Sequence, residues 1–142
     1  MRLPALLALS AYLQACDPAP IPCLDAEDLR GWTMLANGAT ARPLIDTCGR
    51  ATSAALDIGS GSVRMARDYS FAASVTLNLI ANVTNRCAGT SVELTIGDQR
   101  RIEASFPAVI RVPVQALQPV TASALWSGSC AGLHVSLRSA IE

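Results

Sequence analysis

Short apolar runs that alternate with polar residues, each soon ended by Gly, Pro, Asn or Asp, leave this chain little choice of architecture. In Ser91–Ile96 the side chains of Val92, Leu94 and Ile96 share one face, and those of Ser91, Glu93 and Thr95 share the other. Gly97-Asp98 then joins this run to Arg101–Ala104, which reads as a hairpin. Leu133–Arg138 alternates in the same way, with His134 on its polar side. Further strands are expected at Trp32–Leu35, Ala54–Ile58, Ser62–Ala66, Ser70–Val83, Arg100–Phe106, Val109–Gln115 and Val120–Trp126. Pro113 marks its run as an edge strand or a bulge, because proline cannot donate to a ladder. Ser70–Val83 reads as strand rather than helix because Val75, Thr76 and Ile80 are β-branched. Eight or nine such strands predict an all-β fold, an antiparallel β-sandwich of jelly-roll type. One short helix is expected ahead of it, over Leu24–Arg30. Asp25 would cap that helix, Glu27 and Asp28 would suit its positive end, Leu24 would staple onto Leu29, and Gly31 would stop it.

The N-terminus has a different grammar. Arg2 precedes an apolar stretch from Leu3 to Leu13, which is too short to span a bilayer and ends in Leu13-Gln14-Ala15-Cys16. That tetrapeptide resembles the lipobox of bacterial lipoproteins, with Gln14 where the family carries a smaller residue. The resemblance implies a signal peptide over residues 1–15 and acyl chains on Cys16 that hold the mature protein on a membrane. It also implies a place in the bacterial cell envelope facing the periplasm, with Asp17 favouring the inner membrane. Residues 16–23 then form a Pro-rich tether through Pro18, Pro20 and Pro22. In an extended polyproline conformation it reaches roughly 20 Å. Residues 24–142 form one domain.

Composition narrows the function further. Eleven positive charges balance eleven negative ones, so nothing points to nucleic acid. Every positive residue is Arg, and Ala occurs twenty-four times. A core so rich in Ala and poor in aromatics buries less apolar area than its 51% hydrophobic content implies. Covalent staples are therefore expected. With Cys16 acylated, Cys23, Cys48, Cys87 and Cys130 remain for two disulfides. Three pairings are open. Cys23–Cys48 with Cys87–Cys130 is favoured because each bridge closes a loop within one half of the chain, at about 3–4 kcal/mol per bridge. No Cys-x-x-Cys occurs and His134 is the sole histidine, so no metal site is expected, and no motif asks for a cofactor.

Several motifs invite chemistry. Leu56–Ser62, containing Gly59-Ser60-Gly61, resembles the glycine-rich loop of S-adenosylmethionine-dependent methyltransferases. That family needs an acid after the next strand, and Ser70–Val83 has none, so the run reads as a hairpin turn. Ser127-Gly128-Ser129-Cys130 lacks the spacing of a nucleophile elbow. A small hydrolase would have to use His134 with Ser127 or Ser129, and no carboxylate near in sequence supports it. The stretch from Thr90 to Glu142 is similar to carbohydrate-binding jelly-roll modules of the NPCBM type. It shares a strand pair, an apolar strand and Gly132-Leu133-His134 near the end, with Leu137 where the family has a terminal Trp. The resemblance implies glycan binding. Exposed Trp suits sugar stacking, which makes Trp32 and Trp126, with His134, the possible contacts, although burial is the role expected of a Trp in so aromatic-poor a core. The expected function is non-enzymatic: a lipid-anchored protein that binds an envelope protein or glycan.

Overall fold

Strand alternation becomes two stacked sheets in the computed structural model, which describes residues 28–85, 89–128 and 131–142. Its strands are β1 (Thr33–Asn37), β2 (Thr40–Ile45), β3 (Ala51–Asp57), β4 (Ser62–Tyr69) and β5 (Val75–Val83). They continue with β6 (Ser91–Ile96), β7 (Gln99–Glu103), β8 (Ala108–Val114), β9 (Val120–Ser127) and β10 (Leu133–Ile141). The first sheet runs β1-β4-β9-β6-β7 and the second β2-β3-β10-β5-β8, with antiparallel pairing throughout. The β2–β3 and β6–β7 connections stay within one sheet; every other connection crosses to the opposite one. This is the all-β, jelly-roll-like sandwich expected from the pattern.

Each strand turns its alternate apolar residues inward. On β6 these are Val92, Leu94 and Ile96, and on β10 Leu133, Val135 and Leu137, all buried. Val63 and Met65 of β4, Leu77 and Leu79 of β5, and Leu56 of β3 complete the middle of the core. On β9 the inward residues Ala122 and Ala124 carry little volume, so Trp126 supplies the bulk at its end, stacked on Phe106 with ring centroids 5.9 Å apart. Across the gap between sheets, the Tyr69 hydroxyl of β4 donates to Ser139 Oγ of β10 at 2.8 Å.

The Gly97-Asp98 hairpin forms as expected, with Ile96 opposite Gln99 and Gly97 at φ 61°. Pro113 lies on β8, an edge strand, as its missing N–H requires. Other expectations are corrected. Gly59-Ser60-Gly61 is not a hairpin turn, because β3 and β4 belong to different sheets and the turn carries the chain between them. The strand expected from Ser70 begins at Val75. Ahead of it, Phe71 leaves the sheet plane to stack on Tyr69 at 5.5 Å, and its carbonyl accepts the Leu117 N–H at 2.7 Å. Strand β2 was hidden by Pro43, which interrupts the apolar alternation and is tolerated because β2 is an edge. Of the short helix expected over Leu24–Arg30, the described residues hold its end as a 3-10 turn, Leu29–Gly31, capped by Asp28. Asp25 and the rest of residues 24–27 lie outside the described residues.

Gly61 explains the glycine-rich run. A Cβ on it would sit 2.2 Å from the Asn37 carbonyl oxygen and 2.5 Å from the Gly38 backbone. The β1–β2 corner passes directly over this residue. Gly61→Ala is therefore expected to destabilise by at least about 1–3 kcal/mol, since backbone rather than a flexible side chain must move. Urea denaturation of the two proteins checks this, and a midpoint unchanged from the parent would contradict the close approach.

Candidate functional site

The residues singled out by sequence are scattered by the fold. Trp32 is 4% exposed and Trp126 fully buried, so neither offers a ring face to a sugar. The possible role as ligand contacts is corrected, and the packing role expected of Trp holds, for a plain reason: the chain has six aromatic residues, and the sandwich needs their volume. Trp32 packs edge-on to Tyr69, with centroids 6.4 Å apart. Ser127 and His134 sit in opposite sheets, and the Ser127 hydroxyl pairs with that of Ser91 at 3.0 Å. The hydrolase pair of His134 with Ser127 is therefore not formed. Ser129 lies outside the described residues, as do Cys16, Cys23, Cys87 and Cys130. Cys48 is disulfide-bonded, and the pairing of the others stays an expectation. Among the described residues, no group of three or more His, Cys, Asp or Glu side chains could hold a metal ion.

Cys48 sits in the β2–β3 turn, which Asp46 organises. Asp46 Oδ1 accepts the N–H of Cys48 at 2.8 Å and that of Arg50 at 3.0 Å, while Oδ2 accepts the Thr52 hydroxyl at 3.3 Å. This is the Asx-turn geometry that makes Asp a turn residue. The 3-10 turn docks beside it. The Arg30 guanidinium donates to both carboxylate oxygens of Asp28, at 3.0 and 2.6 Å, and Arg30 Nη2 also reaches the Gly49 carbonyl at 3.0 Å. Arg30 holds the Asp28 carboxyl well below the usual carboxylate range, and the pair raises the Arg30 guanidinium in turn. Both are solvent-facing, so the pair positions the chain entry more than it stabilises the fold.

His134 belongs to a different surface, the outer face of the second sheet. Its backbone is fixed by the segment after β5. The carbonyl accepts from Thr84 N–H at 2.8 Å and Thr84 Oγ1 at 3.2 Å, and its N–H donates to Asn85 Oδ1 at 2.9 Å. With Leu133, Val135 and Leu137 committed to the core, strand alternation turns His134, Ser136 and Arg138 outward in a row. At about 6.6 Å between alternate residues, the row is roughly 13 Å long. Neighbouring strands broaden it. Asn82 of β5 lies opposite Ser136, and Ile80 lies opposite Arg138. Ala55 of β3 lies opposite His134, with Arg42 of β2 on its far side. Asn82 Oδ1 accepts the Val83 N–H at 3.0 Å, which leaves its amide nitrogen as a donor. Neither Arg42 nor Arg138 has an ion-pair partner among the described residues.

A groove of about 250 Å³ runs along this face, lined by Thr52, Ile80, Asn82, Pro107, Ser136 and Arg138. A larger, shallow depression of about 750 Å³ lies at one end of the sandwich, among Gly38, Ala39, Thr40, Asp57, Ile58 and Gly59. Its one carboxylate, Asp57, already accepts the Gly132 N–H at 2.7 Å, and apart from Thr40 the rest of the lining is apolar. The groove on the sheet face is the better candidate, because polar groups converge there. Sequence alternation could have found His134, Ser136 and Arg138 as one outward row; only strand order adds Asn82 and Arg42.

No protein-family model matches the chain, and no curated protein matches it either. Solved structures similar to it include TmCBM61 in complex with β-1,4-galactotriose, at 10% identity and a TM-score of 0.45, covering 81% of this chain and 90% of that one. The enzymatically active domain of bacteriophage CBA120 tailspike protein 4 is similar at 11% identity and a TM-score of 0.46. That match covers 82% of this chain and 20% of the tailspike chain. A family 11 carbohydrate-binding module from Clostridium thermocellum, in complex with a β-1,3-1,4-mixed-linked tetrasaccharide, is similar at 8% identity and a TM-score of 0.42. It covers 75% of this chain and 86% of that one.

The Asp46 turn makes a pH-dependent prediction. The Arg50 N–H, followed by the Cys48 N–H and the Thr52 hydroxyl, lowers the Asp46 carboxyl from its ordinary value. A carboxylate depressed in the folded state contributes stability that is fully present above its unfolded value, about 4. The contribution fades as the pH falls from there through the folded value. Asp46→Asn should lower the melting temperature at pH 7, with the gap to the parent narrowing steadily below about pH 4. A gap of equal size in acid would show that the charge plays no part.

Proposed function

We propose that this protein is a lipid-anchored, non-enzymatic component of the bacterial envelope that binds a glycan through the outer face of its second sheet. The observation that carries the binding site is the row His134, Ser136 and Arg138 flanked by Asn82 and Arg42, a set of donors not consumed by ion pairs among the described residues. Guanidinium, amide and hydroxyl groups on a rigid sheet suit the closely spaced hydroxyl and carboxylate oxygens of a saccharide. Roughly 13 Å of such groups matches a short oligosaccharide lying along β10. No tryptophan stacks here, because Trp32 and Trp126 are buried. Affinity therefore rests chiefly on hydrogen bonds, and the binding is weak.

Anchoring follows from the sequence reading of Cys16 as the acylated first residue of the mature chain. The Pro-rich tether would keep the sandwich close to the bilayer, near envelope glycans. The Ser127–Ser91 hydroxyl pair, formed away from His134, favours binding over hydrolysis.

A glycan array followed by calorimetry tests the binding site. Arg138→Ala should weaken the selected glycan by about tenfold or more, as expected for a hydrogen bond to a charged group. Its melting temperature should hold, because the side chain is exposed. A blank array would leave an envelope protein as the partner. Labelling cells with a radioactive fatty acid tests the anchor: the parent should take up label and Cys16→Ser should not. Equal labelling of both would remove the lipid from the account.

A further inference from the structure

Among the described residues the two open sheets have four edge strands, and three of them are guarded. Strand β2 carries Arg42 and Pro43 and shifts register between Leu44 and Ile45. Strand β7 carries Arg100, Arg101 and Glu103, and β8 carries Arg111 and Pro113. Charges, proline and irregular pairing are the devices by which edge strands avoid recruiting another strand. Strand β1, Thr33-Met34-Leu35-Ala36-Asn37, has none of them. It pairs with β4 in unbroken register over all five residues, and Leu35 is 66% exposed. An antiparallel edge leaves alternate N–H and C=O groups pointing away from the sheet.

We propose that β1 is a dimerisation edge, where two copies of this chain pair antiparallel about Leu35 and extend the first sheet across a two-fold axis. The strand is suited to its own copy. Centred on Leu35, the pairing sets Leu35 against its twin, Thr33 against Asn37, and Met34 against Ala36. Met34 and Ala36 register with the buried Met65 and Val63, so both lie on the core side. A large and a small side chain therefore meet there twice. On the outer side the two Leu35 side chains cover each other, beyond Arg64 of each copy. The polar residues Thr33 and Asn37 meet each other rather than an apolar neighbour. This is the self-complementarity that a two-fold interface requires.

Size sets the strength. A five-residue strand pair buries far less than the roughly 1,200–2,000 Å² of a stable interface. The dimer is therefore weak in free solution, with a dissociation constant no tighter than about 1 μM. Confinement of both copies to one surface would raise its population.

Single cysteines and sedimentation test the interface. Opposed residues in an antiparallel pair lie about 4.5–5.5 Å apart at Cα, within disulfide range. Leu35→Cys in the mature chain should give a reducible covalent dimer. Ile102→Cys, exposed on the opposite edge of the same sheet, should not. By sedimentation velocity the parent should shift from monomer toward dimer as its concentration rises toward about 100 μM. Leu35→Arg, a change at an exposed position, should remove that shift while keeping the melting temperature. The proposal fails if the parent stays monomeric throughout, if both cysteine variants cross-link equally, or if Leu35→Arg still dimerises.

Discussion

Filling the gap between two five-stranded sheets with an aromatic-poor, alanine-rich chain is the constraint on which the other features depend. The inward positions of β9 show the problem most clearly. Ala122 and Ala124 leave volume that only a large neighbour supplies, and Trp126 is drawn wholly inside to stack on Phe106. Trp32 is drawn in beside Tyr69 for the same reason. Burial of such rings is worth far more to a marginal core than a solvent-facing contact would be.

That demand shapes the outer surface. With both tryptophans inside, the outer face of the second sheet is left to side chains that cannot enter the core. Strand alternation selects them automatically: where Leu133, Val135 and Leu137 point in, His134, Ser136 and Arg138 point out. The rigidity of the core face therefore fixes the spacing of the polar face, and the groove beside Asn82 is held by the same backbone ladder that buries Ala81 and Leu79. The connections serve the same end. Gly61 lets the β1–β2 corner pass at contact distance, and Asp46 folds the β2–β3 turn around Cys48, so both ends of the second sheet are pinned.

Sheet edges are a second consequence of an open sandwich. Guarding them with proline and charge leaves traces in the sequence that also obscure the strands. Pro43 concealed β2 altogether, while Pro113 marked β8 as an edge without concealing it, because Val109–Val114 alternates clearly around the proline. Ser70–Ser74 looked continuous with β5 because local propensity is blind to the Tyr69–Phe71 stack that turns the chain out of the sheet. Gly59-Ser60-Gly61 was legible as a turn, yet the sheets it joins were not. A tight turn between strands in one sheet and a tight crossing between two sheets use the same residues.

Sequence by itself determined that this chain is all-β, where most strands lie, and which face of β6 and β10 meets the core, because a period of two is a local property of the backbone. It also carries the reading of the N-terminus, which rests on a motif rather than on packing. Tertiary structure alone decided that Trp32 and Trp126 are core, that Ser127 and His134 are held in separate sheets, and that Arg42 and Asn82 join the row on β10. Those outcomes depend on which strand lies beside which. Strand order is set by the whole set of long-range pairings competing to bury one core, and no short window of residues contains that information.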